Sequence, residues 1–392
     1  MPTAGVSPPA IVIGICAHGL AIARCLSRAG IQVIGFDSVA GYPGARTNAA
    51  AIHLTRDING QGLVDALIEF ARVNPQADRP VLFLTNDRMV AIVCQHAEVI
   101  ARHFRLSFAH CAPGILPLLR KDHVQTHSLA AGLSIPLSMI IDREEDLTKL
   151  ASSPDLPLII KPCRPLSSFK AIVLNEGKDL AARQEQITSE LPVIAQRFIP
   201  GDDRTIRFGA LYLRHGEVLA RFEGRKLRSR PMGHTTIAIS EPDDRIHDIT
   251  RRFFDGLALS GPVSLELKRD PNGQDWVIEP TVGRTDFWID LCIHNGVPIP
   301  LIEYCHAAGL PIPHSTQTRR ITWVNGERDP LVIPWLLFNA PSRFLLSRIR
   351  GVYADRHDVR PFVAATSGFF SALTGRLISR VDKTLNEASL FR

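Results

Sequence analysis

The chain has 392 residues, a formal net charge of +6 and 45% hydrophobic residues. This length predicts about two to four compact units, and the apolar content excludes a disordered or fibrous protein. The basic residues form no stripe with interleaved aromatic residues and match no zinc-finger or RNP-like pattern, so small anions rather than nucleic acids are the expected partners.

The first hundred residues alternate short apolar runs with longer segments of helical period. Valine, isoleucine and phenylalanine are common in the short runs, whereas the longer segments repeat apolar residues every three to four positions. This alternation predicts a parallel, doubly wound α/β unit with a Rossmann-like fold. We expect strands at 10–16, 32–38 and 81–87 and helices at 19–29, 61–74 and 88–103.

The first expected strand leads into the turn Gly14-Ile15-Cys16-Ala17-His18-Gly19. A dinucleotide-binding turn would have glycine in place of Cys16, because its backbone must approach the pyrophosphate closely. Asp37 lies about twenty residues further on, at the end of the second strand, where such folds bind the ribose. Nicotinamide binding is therefore an alternative to the simpler interpretation, a βα turn that binds no dinucleotide.

The order of elements changes after a proline-bearing stretch at 113–117. Helices and strands alternate up to residue 199, and alternating strands with a turn at 215–217 follow over 204–240. The acidic first turn of the helix at 143–153 suits the positive end of a helix dipole. We expect further helices at 121–133 and near 178–190, and strands at 137–142, 156–162, 171–175 and 192–199.

A β-hairpin is predicted over residues 262–281. The sequence Pro-Asn-Gly-Gln at 271–274 is a strong turn signal between two apolar runs. With a four-residue loop, residue 270 faces 275, and Glu266 then faces Glu279 on the same side of the ladder. Like charges in that arrangement destabilise a sheet, and buried carboxylates need a compensating group.

Two interpretations of this glutamate pair are open. A divalent cation would compensate both charges, since two carboxylates with phosphate oxygens are the usual protein contribution to a magnesium-nucleotide site. On a solvated face, the glutamates would instead pair with Lys268, Arg269 or Arg284.

The last part of the chain, 311–392, is rich in proline and arginine and predicts helices that pack on the core. Its stretch 331–350 is apolar at first, breaks at 339–341 and then carries arginines. We expect a core-packing helix with a basic edge, and docking on a membrane surface is the alternative. No stretch reaches the roughly 18 apolar residues of a membrane span, so we expect no integral membrane segment.

The seven cysteines are scattered along the chain, and none forms a CxxC pair. This pattern is typical of reduced thiols in a cytoplasmic protein and argues against a zinc site. No positively charged region precedes the first apolar run, so we expect no signal peptide.

Several segments, taken in order, resemble the ATP-grasp superfamily, and in particular its carboxylate-amine ligase branch. Their order and spacing carry the resemblance, which covers most of the chain. The segments are LFLTND, LLRKDHVQTHSLAAGLSIPLS, LIIKP, VIAQRFIPGDD, EGRKLRSRPMGHT, SLELKRDPNG and VIEPTVGR.

The resemblance implies an α/β fold, α+β overall, in three parts. A Rossmann-like preceding domain would occupy 1–112, and a two-lobed ATP-grasp domain 113–310, with a lid at about 125–190. A helical C-terminal region would occupy 311–392.

The resemblance also implies how ATP would be held. Lys121 and Lys161 match the two lysines that contact nucleotide phosphates, and lysine suits phosphate as a mobile point charge. Asp203 matches the position that holds the ribose or lines the substrate side. The hinge segment that holds adenine is matched by Gln196, Arg197, Phe198 and Ile199.

Glu266 and Glu279 match the magnesium carboxylates of the superfamily, with Mn²⁺ as an alternative ion. The superfamily commonly reads Glu-x-Asn-x-Arg, with asparagine as a further ligand, whereas this chain has Thr281 in that place and Arg284 one residue late. The Thr281 hydroxyl would be the weaker ligand. The cations that would neutralise the transferred phosphoryl group are Arg284, Lys226 and Arg228.

The activity that the resemblance implies is the ATP- and Mg²⁺-dependent joining of a carboxylate to an amine through an acylphosphate. Both substrates would be small molecules, and a homodimer is the default expectation. An ATP-binding protein without turnover is the first alternative, because Thr281 departs from the pattern. A nicotinamide-dependent oxidoreductase is the second.

Overall fold

The computed structural model describes residues 7–75, 78–150, 156–163, 171–230, 234–319 and 321–367. Parts of the expected lid, 151–155 and 164–170, and the end of the expected C-terminal region, 368–392, lie outside these residues. The described residues form three sheets with helices packed around them, so the predicted α/β class is confirmed. None of their helices combines the length and the apolar character that a membrane span needs.

The first hundred residues form a parallel sheet with helices. Its strands are β1 (Ala10–Ile13), β2 (Val33–Asp37), β3 (Ala51–Leu54) and β4 (Val81–Phe83), and its helices are α1 (Ala17–Arg28), α2 (Gln61–Val73), α3 (Asp87–Gln95) and α4 (Ala97–Ile100). The strand order is β3-β2-β1-β4, with every pair parallel. The sequence did not predict β3, an edge strand of only four residues that is largely exposed.

A second sheet, also of four strands, follows the helices α5 (Ala112–Leu118) and α6 (Lys121–Ala130) and forms a smaller lobe. Its strands are β5 (Ser138–Ile141), β6 (Leu158–Pro162), β7 (Ile172–Leu174) and β8 (Val193–Arg197), accompanied by α7 (Glu144–Leu150), α8 (Gly177–Ala181) and α9 (Gln184–Thr188). The order is β5-β8-β6-β7, with antiparallel pairing throughout. Leu147, Ile160 and Val193 contribute to an apolar core of its own, as a separately folded lobe requires.

The largest sheet has seven strands. The helix α10 (Asp244–Phe254) lies between the third and the fourth of them in chain order. The strands are β9 (Ile206–Arg214), β10 (Glu217–Arg230), β11 (His234–Ser240), β12 (Gly261–Arg269), β13 (Asp275–Val282), β14 (Ile321–Val324) and β15 (Arg348–Gly351). Their order in the sheet is β13-β12-β9-β10-β11-β14-β15. Only β14 and β15 pair in parallel; the other pairs are antiparallel.

The sequence predicts a helical C-terminal region, but the described part of this region also contains strands. It contributes β14 and β15 to the large sheet, together with α13 (Val332–Asn339) and α14 (Pro341–Leu346), while α11 (Ile289–His294) and α12 (Ile299–Ala308) precede it. The region is also anchored on α1. The buried Arg24 guanidinium donates from Nε to Asp358 Oδ2 at 2.9 Å and from Nη2 to the Asp358 carbonyl at 2.8 Å.

Two apolar cores join the first sheet to the largest one. One contains Leu84 and Val90 from the first hundred residues and Leu265 and Val282 from the β12–β13 hairpin. The other contains side chains of α1, α11 and α12 on the opposite face. Because these cores cross residue 112, the expected domain boundary there stays a prediction.

A buried carboxylic acid lies where α12 contacts the segment that follows the first sheet. Glu303, on α12, accepts a hydrogen bond from the Ser107 hydroxyl at 2.7 Å. Burial raises the pKa of Glu303 from 4.5 to about 8, and the bond from Ser107 opposes this only in part. The folded protein therefore holds a proton on Glu303 at neutral pH that the unfolded chain does not hold.

This proton makes stability fall as pH rises between about 4.5 and 8, by roughly 1.4 kcal/mol per pH unit. We expect Glu303→Gln to remove this slope and to raise the free energy of unfolding at pH 7.5. Urea unfolding at pH 6 and pH 7.5 measures both effects, with the exposed Glu217→Gln as a control that keeps the wild-type slope. Parallel pH profiles for wild type and Glu303→Gln would contradict the assignment.

Candidate active site

The β12–β13 hairpin places Glu266 opposite Glu279, as the sequence predicts. The predicted loop is wrong, however: Arg269 pairs with Asp275, so five residues rather than four connect the strands. A bulge at Ile278 takes up one residue and restores the expected register at the glutamates. The two carboxylates therefore share one face of the sheet.

The longer loop is fixed by Asp270. Its Oδ1 accepts the backbone N–H groups of Asn272 and Gln274, each at 2.9 Å, and its Oδ2 accepts the indole N–H of Trp276 at 3.0 Å. An aspartate that bonds backbone groups two and four residues on stabilises a turn. Asp270 thus belongs to the loop and not to the ladder.

The two glutamates have different surroundings. Glu266 forms an ion pair with Lys226 at 2.5 Å between Nζ and Oε2, and the Lys226 side chain is only 4% exposed. The Glu279 residue is exposed on the surface. Desolvation nevertheless raises the pKa of Glu279, Lys121 opposes the rise, and Glu266 adds to it. Among the described residues, Glu266 therefore has an ion-pair partner and Glu279 has none.

Lys121 and Lys161 both lie within electrostatic reach of the glutamate pair. Lys161, on β6, donates from Nζ to Gln196 Oε1 at 2.9 Å. Burial, with a contribution from Lys121, lowers the pKa of Lys161 to about 8, and Glu279 and Glu266 oppose the shift. Lys121 begins α6 and is exposed. The structure thus brings the two predicted phosphate-binding lysines to the two predicted metal carboxylates.

The predicted adenine hinge, 196–199, is held by its neighbours. The N–H groups of Arg197 and Phe198 donate to the carbonyl groups of Leu137 and Pro157 at 3.0 and 2.9 Å. Ile199 is buried. Since both N–H groups have protein partners, they are not available to a base in this conformation.

The hinge side chains contact the hairpin that carries the glutamates. The Arg197 guanidinium lies 5.7 Å from the ring centre of Trp276, and Lys268 Nζ lies 4.8 Å from that of Phe198. Such cation–π contacts are favourable at partly exposed sites. These two contacts connect the smaller lobe to the β12–β13 hairpin.

Asp203 lies in the turn after the hinge and binds the large sheet. Its Oδ2 accepts the backbone N–H of Ser229, on β10, at 2.6 Å. Burial lowers the pKa of Lys268, and the charge of Asp203 opposes that shift. Asp203 therefore lies close to the hinge, and its contact with ribose stays a prediction.

Two of the three predicted catalytic cations have carboxylate partners of their own. Arg228 donates from Nε to Asp329 Oδ2 at 2.6 Å. Arg284 donates from Nε and Nη2 to the two carboxylate oxygens of Asp87 at 2.7 and 3.0 Å. Lys226 alone of the three forms an ion pair with the glutamate pair in the described part of the chain. A role for either arginine at a phosphoryl group stays a prediction and would require a change of partner.

Asp87 is a site residue that the sequence analysis missed. Asn86 caps α3 by accepting the Met89 N–H, so that Asp87 begins the helix just beyond the carboxyl end of β4. Burial lowers the pKa of Arg284, but Asp87 and Glu279 overcome this effect and hold it above its usual value. The signal for Asp87 was its place after a parallel strand, where ligands commonly bind.

Thr281 donates its hydroxyl to Asp286 Oδ2 at 3.1 Å, and Ser264, the residue opposite, donates to the same oxygen at 2.6 Å. Asp286 was not predicted either. Because the Thr281 proton is used in this bond, its hydroxyl could offer a metal only a lone pair. Thr281, the residue that departs from the Glu-x-Asn-x-Arg pattern, therefore helps to fix the loop after β13 through Asp286.

His18 also links the first sheet to this loop. Nε2 lies 2.8 Å from Thr285 Oγ1 and Nδ1 lies 3.2 Å from the Thr85 carbonyl. Burial, with a further contribution from Arg284, lowers the pKa of His18 to about 3, so the ring is neutral. Since a carbonyl only accepts, Nδ1 carries the proton and Nε2 accepts from Thr285.

Asp37, the residue that kept nicotinamide binding open, is engaged within the protein. Its Oδ2 accepts the Ile15 N–H at 2.6 Å, its Oδ1 accepts the Val39 N–H at 3.0 Å, and the side chain is buried. A carboxylate with both oxygens bonded to backbone groups fixes a βα turn rather than a ribose. This arrangement argues against the oxidoreductase alternative.

The donor set at the glutamate pair fits Mg²⁺ held jointly with phosphates. Over the described ranges, no three histidine, cysteine or acidic side chains group closely enough to hold a metal without other ligands. Mg²⁺ in nucleotide sites needs only one or two carboxylates, because substrate phosphates and water complete its shell. Glu266 and Glu279 supply that number on one face.

Comparison with known proteins confirms the resemblance to the ATP-grasp superfamily. A D-alanine–D-alanine ligase of Chromohalobacter salexigens is 25% identical over 195 residues, which cover 46% of this chain and 62% of the ligase. The chain spans 55% to 65% of the length of the curated relatives it matches. No protein-family model matches the chain.

Two solved structures show the same fold. An L-amino acid ligase from Bacillus licheniformis has a TM-score of 0.60 and 16% identity, with coverage of 76% of this chain and 74% of that one. The biotin carboxylase domain dimer of Hydrogenobacter thermophilus 2-oxoglutarate carboxylase, in complex with MgADP, ADP and bicarbonate, has a TM-score of 0.63 and 11% identity, with coverage of 81% and 73%.

Proposed function

We propose that this chain is an ATP- and Mg²⁺-dependent ligase that joins a carboxylate to an amine through an acylphosphate. One observation carries the proposal: Glu266 and Glu279 face each other on the sheet, with Lys121 and Lys161 in electrostatic reach. A group of two acids and two lysines between two lobes suits a phosphate chain and its cation. The ATP-grasp fold supports this assignment.

The residues of the cleft would divide the binding of ATP among them. Lys161 and Lys121 would hold the phosphates, and the hinge at 196–199 would hold the adenine, with Asp203 at the ribose. Glu266 and Glu279 would hold Mg²⁺, or Mn²⁺ in its place, which when bound neutralises charge on the phosphates. Thr281 would contribute at most a weak further ligand, because its proton is bonded to Asp286.

The first chemical step would be attack of a substrate carboxylate oxygen on the γ-phosphorus of ATP, which breaks the bond to the β-phosphate oxygen and releases ADP. The chain has little covalent work to do, because phosphoryl transfer depends on positioning and charge neutralisation. Lys226 lies at Glu266 already. Arg284 and Arg228 would bind the phosphoryl group together with Lys226 only after releasing their partners, Asp87 and Asp329.

The second step would be attack of the amine nitrogen on the acyl carbon, which forms the C–N bond and releases phosphate, while the nitrogen loses a proton. Water competes with the amine for the acylphosphate. A lid at about 125–190, with a core of its own, would close over the cleft and exclude water.

The same proposal includes the arrangement of the chain. A Rossmann-like preceding domain at 1–112, an ATP-grasp domain at 113–310 and a C-terminal region at 311–392 would form the enzyme, which would assemble as a homodimer. It would act in the cytoplasm, and the seven cysteines, none of which forms a disulfide bond in the structure, suit that compartment.

An ATP-binding protein without turnover is the second candidate. Two observations favour it: Arg228 and Arg284 are occupied by Asp329 and Asp87, and the Thr281 hydroxyl is occupied by Asp286. Such a protein would bind ATP and release no ADP.

Calorimetric titration of ATP, with and without Mg²⁺, followed by ADP release with a panel of carboxylates and amino acids, tests the proposal. Magnesium-dependent binding and ADP release with one substrate pair would establish the ligase. Binding without release for any pair would favour the second candidate, and absence of binding would overturn both.

A further inference from the structure

Arg328 lies in the turn between β14 and α13. Its Nη1 lies 2.6 Å from His234 Nδ1, and its guanidinium lies 5.8 Å from the ring centre of Phe287. The side chain is exposed, and no ion pair with a carboxylate is found for it in the described residues. Arg328 therefore differs from Arg228 and Arg284, which have carboxylate partners.

The position of Phe287 relates Arg328 to the reaction site. Phe287 follows Asp286, which binds Ser264 and Thr281. Each of these two residues is two positions along its strand from a glutamate of the pair, a distance of roughly 7 Å. The Arg328 guanidinium is thus separated from the glutamate pair by one short loop.

A second wall is formed by the first sheet. Burial raises the pKa of the Cys16 thiol, and the positive charge of Arg328 opposes this rise. Cys16 belongs to the turn between β1 and α1, so the guanidinium lies within electrostatic reach of that turn. The region between this turn, Phe287 and His234 contains a cation with aromatic and polar neighbours.

We propose that Arg328 binds the carboxylate of the amine substrate, which is therefore an amino acid and not a simple amine. An arginine fork on an aromatic ring recognises carboxylates with two parallel hydrogen bonds. The carboxylate that reacts with ATP loses its charge in the acylphosphate and needs its cations at the glutamate pair. A cation one loop away suits a second carboxylate that stays intact. This inference rests on the proposed function for the role of the site, though not for the binding itself.

The experiment measures binding of the twenty amino acids and of their carboxamides, by calorimetry, to the full chain saturated with a non-hydrolysable ATP analogue and Mg²⁺. We expect one or a few amino acids to bind and their amides to bind roughly ten- to a hundredfold more weakly, as loss of a charged hydrogen-bond pair predicts. Arg328→Gln should remove this preference, with ATP binding unchanged. Arg356→Gln, which also removes an exposed arginine next to a histidine, should keep it.

The outcomes separate the inference from the proposed function. A preference for the free carboxylate that persists in Arg328→Gln, or absence of binding by any amino acid, overturns the inference. Amino acid binding that depends on Arg328, without ADP release, contradicts the proposed ligase function. It leaves the assignment of Arg328 as the carboxylate-binding residue intact.

A different observation supports a second inference, about α13 and α14. One side of α13 is buried through Val332 and Leu336, but Phe338 is 80% exposed, and in α14 Leu345 and Leu346 are 74% and 87% exposed. Residues 330–354 include three arginines and no acidic residue. The predicted core-packing helix is therefore only half covered by the described residues.

We infer that this face, formed by Phe338, Leu345 and Leu346 with Arg343 and Arg348 beside it, docks on an anionic lipid surface. Exposed apolar side chains enter the interface of a bilayer, and neighbouring arginines attract anionic headgroups. The absence of acidic residues across 25 consecutive positions matches that surface charge better than it matches a protein surface of mixed charge.

Co-sedimentation of the full chain with vesicles tests this inference. We expect binding to phosphatidylcholine vesicles that contain phosphatidylglycerol, little binding to phosphatidylcholine alone, and at least tenfold weaker binding for the double variant Leu345→Ser, Leu346→Ser. Leu54→Ser, which changes another half-exposed leucine, serves as the control. Equal sedimentation of wild type and double variant, or loss of a dimer in the variant by analytical ultracentrifugation, would overturn it, the latter by showing that a second copy covers the face.

Discussion

Replacing Glu279 with glutamine should lower the kcat of magnesium-dependent turnover roughly a hundredfold or more. A bound metal supplies several kcal/mol of charge stabilisation in the transition state, and each tenfold loss of rate corresponds to about 1.4 kcal/mol. Among the described residues, Glu266 has an ion pair with Lys226 at 2.5 Å, whereas no ion pair is found for Glu279. Glutamine keeps the shape and removes the charge. ADP release at saturating ATP and Mg²⁺ measures the effect.

The same substitution should have the opposite effect on stability in the absence of Mg²⁺. Glu279 faces Glu266 across the ladder, and desolvation raises its pKa. Removing a charge that is both desolvated and opposed by a like charge should raise the free energy of unfolding by roughly 0.5–1 kcal/mol. Urea unfolding in EDTA checks this, and Glu217→Gln, at the exposed start of β10, should change neither activity nor stability. Normal turnover in Glu279→Gln would exclude the metal assignment.

The sequence predicted this pair because both strands and the turn carry local signals. Proline, asparagine and glycine mark the loop, and alternation marks the faces. The register was nevertheless obtained through two compensating errors, the loop length and the bulge at Ile278, neither of which alternation alone specifies. Lys161 was assigned through the superfamily resemblance, and its place directly before Pro162, where β6 ends, agrees with the expected strand.

What the sequence did not reveal are contacts between distant parts of the chain. Arg284 and Asp87 are 197 positions apart, and Arg228 and Asp329 are 101 apart. No periodicity relates such residues, so the sequence does not show that each arginine has a competing carboxylate partner. His18 was missed for the same reason, because its partner Thr285 lies 267 positions away. The strands β14 and β15 are only four residues long, and their pairing depends on an existing sheet edge.

Replacing Lys161 with alanine should weaken ATP binding by roughly tenfold or more, as expected for a charge-assisted hydrogen bond to phosphate. The pH dependence gives the assignment a more specific test. Burial lowers the pKa of Lys161 to about 8, with Lys121 adding to the shift, so in the free protein the amine loses its proton as pH rises from 7 to 9. Phosphate binds the charged form and raises this pKa, and wild-type affinity should therefore fall through pH 8 while binding takes up a proton.

Calorimetry of ATP binding at pH 8, in buffers with different ionisation enthalpies, measures this uptake directly. Wild type should take up a fraction of a proton, and Lys161→Ala should take up none, with an affinity that no longer changes between pH 7 and 9 through this group. Lys178→Ala is the matched control, because Lys178 is exposed and pairs only with the exposed Glu176 in the described residues. Proton uptake that persists in Lys161→Ala would assign the titration to another group and would leave the position of Lys161 beside Gln196 without a role in binding phosphate.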